Sequence, residues 1–386
     1  MHRQKDTEAT GEVDDLLRSV GLGHGRRSTL AGSWQNGERR PRMPPAAPEA
    51  LTGPVAAQRL DLLRVPGWQR VAWLRHGFST RAAGVSSIYS ANENDCGAGA
   101  GTLNLGWTQQ DDPANVAENR RRFLAEFLDR SANAVATTAG SQPDGPRGRS
   151  LPPCLVTLRQ FHSAMVRIVE SGDLAHPARL QTTGGRAVLR GDALCTNVPG
   201  VFLGIQTADC VPVLVADVRR RAVAAFHAGW RGTLARVVQR GIGTMRLRYG
   251  SRPQDLLDAV GPSIGPCCYA VGEEVRFEFD SQFAYARDLF SEVYDPDPVR
   301  EKYPLLFLTA RAPGHSNIGP QIHLNLWEAN RRQLLDAGIP APRITVIGEC
   351  TACAGLGTAA GRKYFSHRAE SGFTGRMMAA IGVAVA

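Results

Sequence analysis

Apolar residues recur along this chain with two periods, one helical and one of strand type. Within residues 116–130, Val116, Phe123, Leu124, Phe127 and Leu128 fall on one side at helical spacing, which predicts an amphipathic helix. Residues 234–249 read as a second helix. Residues 326–337 read as a third, stopped by Gly338 and Pro340. Between them lie short apolar runs. Residues 154–158, 165–169, 221–226 and 343–347 have strand length, and 201–205 and 211–216 are continuously apolar. A continuous run has no polar face to give to water, so these two predict strands covered on both sides. The pattern predicts an α/β (mixed α+β) fold: one domain over 59–386, with mixed, largely buried β-sheets flanked by helices.

Two stretches fall outside this pattern. Residues 1–58 are rich in Gly, Pro, Arg and acidic residues and offer little apolar surface against the entropy of ordering. They predict a disordered extension with at most a short helix near 14–20. Residues 131–153 predict a surface insertion, and 90–101 a similar loop.

Composition narrows the class. With 43% hydrophobic and 21% charged residues, the bulk is globular. The net charge of +9 raises the question of nucleic acid, but only Lys5, Lys302 and Lys363 are lysines and no block of five basic residues occurs. The run Arg219, Arg220, Arg221 reads as a solvated turn between strands. No nucleic-acid partner is expected, although the basic bias suits an anionic co-substrate. The first twenty residues hold no apolar signal core, and no apolar stretch reaches membrane-spanning length. Eight cysteines in 386 residues are too sparse for a disulfide framework, so reduced thiols and a cytoplasmic location are expected, with no membrane partner.

Three segments place polar residues at the ends of apolar strands: Arg159–Ser163 with His162, Gln206–Pro212 with Cys210, and Ala225–Gly232 with His227. Two imidazoles and a thiolate leave one position open on a tetrahedral zinc, the pattern of a catalytic site. Such an ion lowers the pKa of water or polarises a substrate oxygen. Spacings of 48 and 17 residues define no zinc motif by themselves. A hydrogen-bonded structural histidine and an inert buried thiol stay open as alternatives.

The ordered blocks carry more. Ser79-Thr80-Arg81, Leu103-Asn104-Leu105-Gly106, Asp112-Pro113, Asn119-Arg120, Gln160-x-His162 and Gly191-Asp192-Ala193-Leu194 come first. Thr207-Ala208-Asp209-Cys210-Val211-Pro212, His227-Ala228-Gly229-Trp230-Arg231-Gly232 and Gly261 to Tyr269 follow, then Ser366, Arg368 and Thr374-Gly375-Arg376. From about Trp73 to the C-terminus the chain resembles the laccase-domain, YfiH-type family. Its members are described as purine nucleoside phosphorylases with adenosine deaminase activity, and formerly as multicopper polyphenol oxidases.

That resemblance implies that His162, Cys210 and His227 bind zinc rather than copper, with Cys210, His227 and Asp209 as the catalytic set. It implies a cleft in which Arg81, Gln160 and Arg231 meet a purine nucleoside or phosphate; a guanidinium matches a pair of phosphate oxygens. A loop-pinning ion pair is the even alternative for Arg81. Asp209 orients a ligand imidazole or serves as a base, the orienting role being preferred. Gly229, Gly232, Gly261 and Gly265 read as sites of close backbone approach or of positive φ. The chain departs from the family pattern at Asn325, where an Asp is usual, at Arg368-Ala369, where two arginines are usual, and in a longer loop between Cys353 and Phe365. The pair Cys350-x-x-Cys353 suggests a redox or second metal site. No matching second pair is evident in sequence, so isolated structural thiols are expected.

The leading expectation is a purine nucleoside phosphorylase or adenosine deaminase. It would take adenosine, inosine, guanosine or methylthioadenosine, as a monomer or small homo-oligomer. Water would displace ammonia at purine C6, or phosphate would displace the base at ribose C1′. A second hypothesis makes Cys210 a nucleophile with His227 as its base, in an amidase acting on peptidoglycan precursors. A third is copper-dependent polyphenol oxidation, which wants an axial Met and further His-rich sites; nine histidines without a His-x-His pair argue against it. A non-enzymatic metal-holding partner of cell-division or envelope machinery is the fourth.

Overall fold

Strands that are apolar on both faces need two covering layers, and the chain supplies them. The computed structural model describes residues 60–89, 101–128, 153–293, 320–358 and 361–385. In chain order the elements begin with β1 (Leu62–Leu63), β2 (Leu74–Ser79), α1 (Pro113–Ala125), β3 (Cys154–Thr157), β4 (Val166–Ile168), α2 (Ser171–Leu174) and β5 (Ala193–Thr196). Next come β6 (Val201–Thr207), β7 (Val211–Asp217), β8 (Ala222–Ala228), α3 (Trp230–Leu234), α4 (Val237–Tyr249) and β9 (Leu256–Val260). The last are β10 (Ala270–Val271), α5 (Glu273–Gln282), β11 (Phe290–Val293), β12 (Gln321–Leu324), α6 (Leu326–Asp336), β13 (Ile344–Val346) and β14 (Met377–Val383).

Two mixed sheets form the centre. One runs β1-β2-β14-β6-β3 and the other β13-β9-β7-β8-β5-β4; β10-β12-β11 make a small third sheet. Alternation along β7 and β8 shows the layering. Val213 and Val215 with Ala224 and Phe226 pack towards α4 and α6, together with Val238, Ile242, Ala329 and Leu334. Leu214 and Ala216 with Val223 and Ala225 instead meet Leu203, Ile205 and Ile381 of the other sheet. On the outer side of that sheet, Phe202, Met378 and Ala380 meet Phe123 and Phe127 from α1 and the turn after it. The order is helix, sheet, sheet, helices, so the fold is the mixed α/β class predicted. Each fully buried Phe in these layers contributes about 2–3 kcal/mol.

Helix ends follow local chemistry. The Asp112 carboxylate accepts the Ala114 N–H at 2.8 Å and Pro113 begins α1. The predicted helix over 234–249 is α4 and begins at Val237, because Arg236 takes a left-handed backbone (φ 60°) after α3 ends at Leu234. Its guanidinium donates to the Gln282 carbonyl and stacks 4.5 Å from the Phe283 ring. The apolar period continues through this break, so the pattern alone does not reveal it. Helix α6 stops where predicted, with Gly338 at φ 88°. The expected extension at 1–58 and helix near 14–20 lie outside the described residues, as do nearly all of the 131–153 insertion and the 90–101 loop. Among the described residues, no helix is long and apolar enough to cross a membrane.

Candidate metal centre

The three predicted segments converge at one end of the two central sheets. Cys210 immediately precedes β7, in the short turn from β6. His227 lies near the end of β8, and His162 sits in the turn after β3. The ligand atoms of all three lie within 4.8 Å of one another. The His162 Nε2 to Cys210 Sγ distance is 3.7 Å. A tetrahedral zinc with S and N ligands at about 2.3 and 2.0 Å spans about 3.5 Å along that edge. The two imidazole centroids are 5.0 Å apart. The donor set fits one such ion.

Two backbone features make this convergence possible. His162 takes a left-handed conformation (φ 62°), as does Asp209 (φ 91°), uncommon and costly for residues with a Cβ. Gly229 admits the ligands: a Cβ there would stand 2.8 Å from Cys210 Sγ and 3.0 Å from His162 Cδ2.

The carboxylate that orients this centre is Asp192, not Asp209. Asp192 is fully buried and accepts from the backbone N–H groups of Phe161, His162 and Ser163 (3.2, 3.0 and 2.7 Å) and from the Ser163 hydroxyl (2.6 Å). Its Oδ1 also lies 2.9 Å from His227 Nδ1. A carboxylate only accepts, so Nδ1 carries the proton and Nε2 is left as the ligand atom. Burial raises the pKa of Asp192, but the bonds from His227 and Ser163 outweigh it and hold the group at about 2.

Asp209 does different work. Its Oδ1 accepts from the Thr351 and Ser366 hydroxyls, both at 2.7 Å, and Oδ2 accepts the Arg368 N–H at 2.7 Å. It ties three loops together instead of meeting an imidazole, which corrects the orienting role expected from sequence. The signal for Asp192 was available, as the Asp of the Gly191–Leu194 block, but 30 residues separate it from His162.

Electrostatics couple Cys210 to His227. Burial pushes the thiol up, yet the His227 charge and hydrogen bonds from both imidazoles bring it down to about 6. Burial lowers the His227 pKa, yet the Cys210 thiolate and Asp192 raise it to about 9. Metal-free, the pair is a thiolate beside an imidazolium, and the thiolate is also the metal-binding form.

The centre forms the wall of a cavity of about 470 Å³, within the range of small-molecule sites. Gln160, Tyr269, His367, Arg368 and Arg376 line it as well. His367, Arg368 and Arg376 were not singled out as substrate contacts; each reaches the cavity from a loop far along the chain. The predicted contacts fare differently. The Gln160 amide borders the cavity, but its two ends bond the backbone of Gln206 at 2.8 and 2.9 Å. Arg231 is exposed, stacks on Trp230 at 4.2 Å, and lines a neighbouring cleft of about 610 Å³. Arg81 is not in the wall. It is 1% exposed, bonds Glu370 (3.0 Å) and the Tyr89 carbonyl (2.7 Å), and stacks on Phe365. The loop-pinning alternative describes its placement.

Two of the departures from the family pattern, Asn325 and Ala369, also stay off the wall. The Asn325 side chain caps α6 by accepting the Glu328 N–H at 3.0 Å, and Ala369 packs against a small cluster with Ile264, Cys350 and Ala352. Cys350 and Cys353 are not isolated, contrary to expectation: Cys267 and Cys268 provide the second pair, and the four sulfurs lie within 4.8 Å of one another. A larger cleft of about 730 Å³ beside α1 has neither imidazole nor carboxylate among its described lining residues.

Known proteins resemble the chain over most of its length. The family described as multi-copper polyphenol oxidoreductase laccase matches residues 75–140 and 148–384. The chain is similar to purine nucleoside phosphorylase YlmD of Geobacillus stearothermophilus, 32% identical over 310 residues, covering 80% of this chain and 94% of that one. It is 34% identical over 200 residues to adenosine deaminase RL5 from an unknown prokaryotic organism, covering 52% of this chain and 66% of that one. The crystal structure of the Bacillus licheniformis hypothetical protein YfiH aligns with a TM-score of 0.60 at 27% identity, covering 84% of this chain and 97% of that one.

Proposed function

Because the chain belongs to the multi-copper polyphenol oxidoreductase laccase family, whose relatives above are named for purine nucleoside chemistry, we propose that it is a zinc-dependent purine nucleoside enzyme. One observation carries this reading: a thiolate and two imidazoles converge on the wall of a cavity that also bears Arg368 and Arg376. His162, Cys210 and His227 would hold the ion, which supplies Lewis acidity when bound. The chain's own residues do the rest. Asp192 fixes the His227 tautomer and the His162 turn. Arg368 and Arg376 bring positive charge where phosphate would bind, and Tyr269 gives an aromatic surface for a purine. Two net reactions suit the site: adenosine with water to inosine and ammonia, or nucleoside with phosphate to free base and ribose 1-phosphate.

Zinc is favoured over copper because, among the described residues, no Met lines the cavity to serve as a weak axial ligand. The test is metal content of protein purified without added metal, with turnover of adenosine and inosine in the presence and absence of phosphate. About one zinc at this centre with ammonia or free base released is expected. Copper with phenol oxidation and no nucleoside turnover would overturn the reading.

A specific observation supports a second reading, the cysteine hydrolase. Cys210 is held near pKa 6 beside a protonated His227. A stoichiometric iodoacetamide adduct at Cys210 that forms equally well with zinc present, together with amide hydrolysis, would favour it.

A further inference from the structure

Four cysteines outside this cavity form a second ligand set. Cys267 and Cys268 sit on the turn after β9, and Cys350 and Cys353 on the turn after β13. None of the four lines the cavity. The sulfurs lie within 4.8 Å of one another, with Cys267 and Cys353 at 3.7 Å. That separation is far from a disulfide bond of about 2.05 Å. It matches the edge of a ZnS₄ tetrahedron, about 3.8 Å for Zn–S bonds of about 2.3 Å.

Three further features match such a centre. The Cys350-x-x-Cys353 spacing is that of structural zinc turns. The Gly265 N–H donates to Cys350 Sγ at 3.2 Å, a bond that orients and steadies a thiolate ligand. Gly265 has no room for a side chain, since a Cβ would stand 2.7 Å from Trp327 and 3.2 Å from Cys267 Sγ. Four sulfurs this close converge on one ion; in an iron–sulfur cluster they would bind separate irons and stand farther apart.

We propose that Cys267, Cys268, Cys350 and Cys353 bind one zinc ion in a closed tetrathiolate site that cross-links the two turns behind the catalytic loop. Binding displaces the four thiol protons to solvent and involves no redox change. The linked turns are the ones that grip Asp209: the Ile264 N–H donates to the Asp209 carbonyl at 2.9 Å, and the Thr351 hydroxyl donates to its carboxylate. With all four positions filled by protein, this ion has no place for substrate, so its role is to brace the loop that presents Cys210.

The experiment uses the full chain, expressed with zinc and counted by native mass spectrometry alongside elemental analysis. Wild type is expected to hold about two zinc ions per chain, falling to about one in Cys210→Ala and about one in Cys353→Ser. The retained ion distinguishes the sites. Cobalt-exchanged Cys210→Ala should show the strong sulfur-to-cobalt absorption of a four-thiolate site, and Cys353→Ser the weaker spectrum of a single thiolate. If Cys353→Ser is insoluble, the cobalt spectrum of Cys210→Ala decides alone. Wild type with a single zinc that Cys210→Ala abolishes would overturn the proposal. So would iron in place of the retained zinc, or a Cys267–Cys353 disulfide mapped in freshly purified protein. Because the readout is Cys210→Ala protein and not turnover, failure of the nucleoside reading leaves this test intact.

Discussion

The His162–Cys210–His227 centre and the four-cysteine cluster are both built at strand ends, yet they are organised for opposite ends. The first has three candidate ligands, a buried carboxylate behind one imidazole, and a cavity in front. The second has four sulfurs and a backbone N–H behind one of them, and it lines none of the cavities described above. Metal chemistry gives the difference its meaning. An open coordination position invites a substrate, whereas a closed one spends its ligands on holding the chain. Asp209 stands between them, one residue from Cys210 and bonded to Thr351 beside Cys350, so the braced turns and the reactive loop share a residue.

Removing a ligand from the open centre is the most severe way to break this contrast. Cys210→Ala should lower nucleoside turnover by at least about a thousand-fold, because the ion and the thiolate act as one unit. The far-UV circular dichroism should stay that of wild type, since the two sheets do not depend on this thiol. Full turnover in the folded variant would remove Cys210 from the chemistry.

Thiol reactivity separates the two regions next. In zinc-stripped protein Cys210 sits at about 6, whereas burial and the neighbouring cysteines push Cys267 up to about 12. The sign follows: Cys210 is a thiolate above pH 6 and loses its reactivity as pH falls through that value. At pH 7 it should be alkylated by iodoacetamide at least about a hundred-fold faster than Cys267, even after allowing for the lower nucleophilicity of a low-pKa thiol. Peptide mapping across pH 5–9 checks this. Equal rates, or a Cys210 midpoint near 9, would show that His227 does not carry the charge assigned to it.

Asp192→Asn comes third. It keeps the shape but can turn an N–H towards His227 and no longer demands a proton on Nδ1. Zinc affinity at the open centre, or turnover, should fall about 10–100-fold. Zinc at the four-cysteine site should be unaffected. A variant with both unchanged would reduce Asp192 to a bracket for the 161–163 turn.

Legibility in the sequence divides along the same line. The layered α/β fold was legible because Val211–Ala216 and Ala222–Phe226 are apolar throughout, and only a strand covered on both faces can be. The three candidate ligands were legible as polar residues ending apolar strands. What escaped was pairing across distance. Asp192 reaches His227 over 35 residues and Cys267 reaches Cys353 over 86, and no local period records either contact. The Arg236 break in the helical run escaped for the opposite reason: it is a one-residue change of φ that leaves the apolar period intact. Arg81 shows the limit of reading by residue type, since a guanidinium suits phosphate and a half-buried Glu370 equally well.

The smallest effect expected is at Asn325, where family resemblance calls for Asp. Its position two residues beyond His323 and before α6 makes it look like a departure with functional weight. The structure gives it a local task, accepting the Glu328 N–H at the first turn of α6. Asn and Asp cap helices about equally well, so Asn325→Asp should change unfolding free energy by less than about 0.5 kcal/mol. The added negative charge meets the positive end of the helix, which favours it, and meets Glu328 in the same turn, which opposes it. Denaturant unfolding measures the sum, and parallel assays measure kcat/KM for adenosine and inosine. Unchanged kinetics would confine this position to the scaffold. A change of preference between the two nucleosides would mean that the end of α6 communicates with the cavity through Trp327, whose indole N–H bonds Ser263 at 2.7 Å on the braced turn. The sharp division between reactive and bracing regions would then have to give way to one coupled unit.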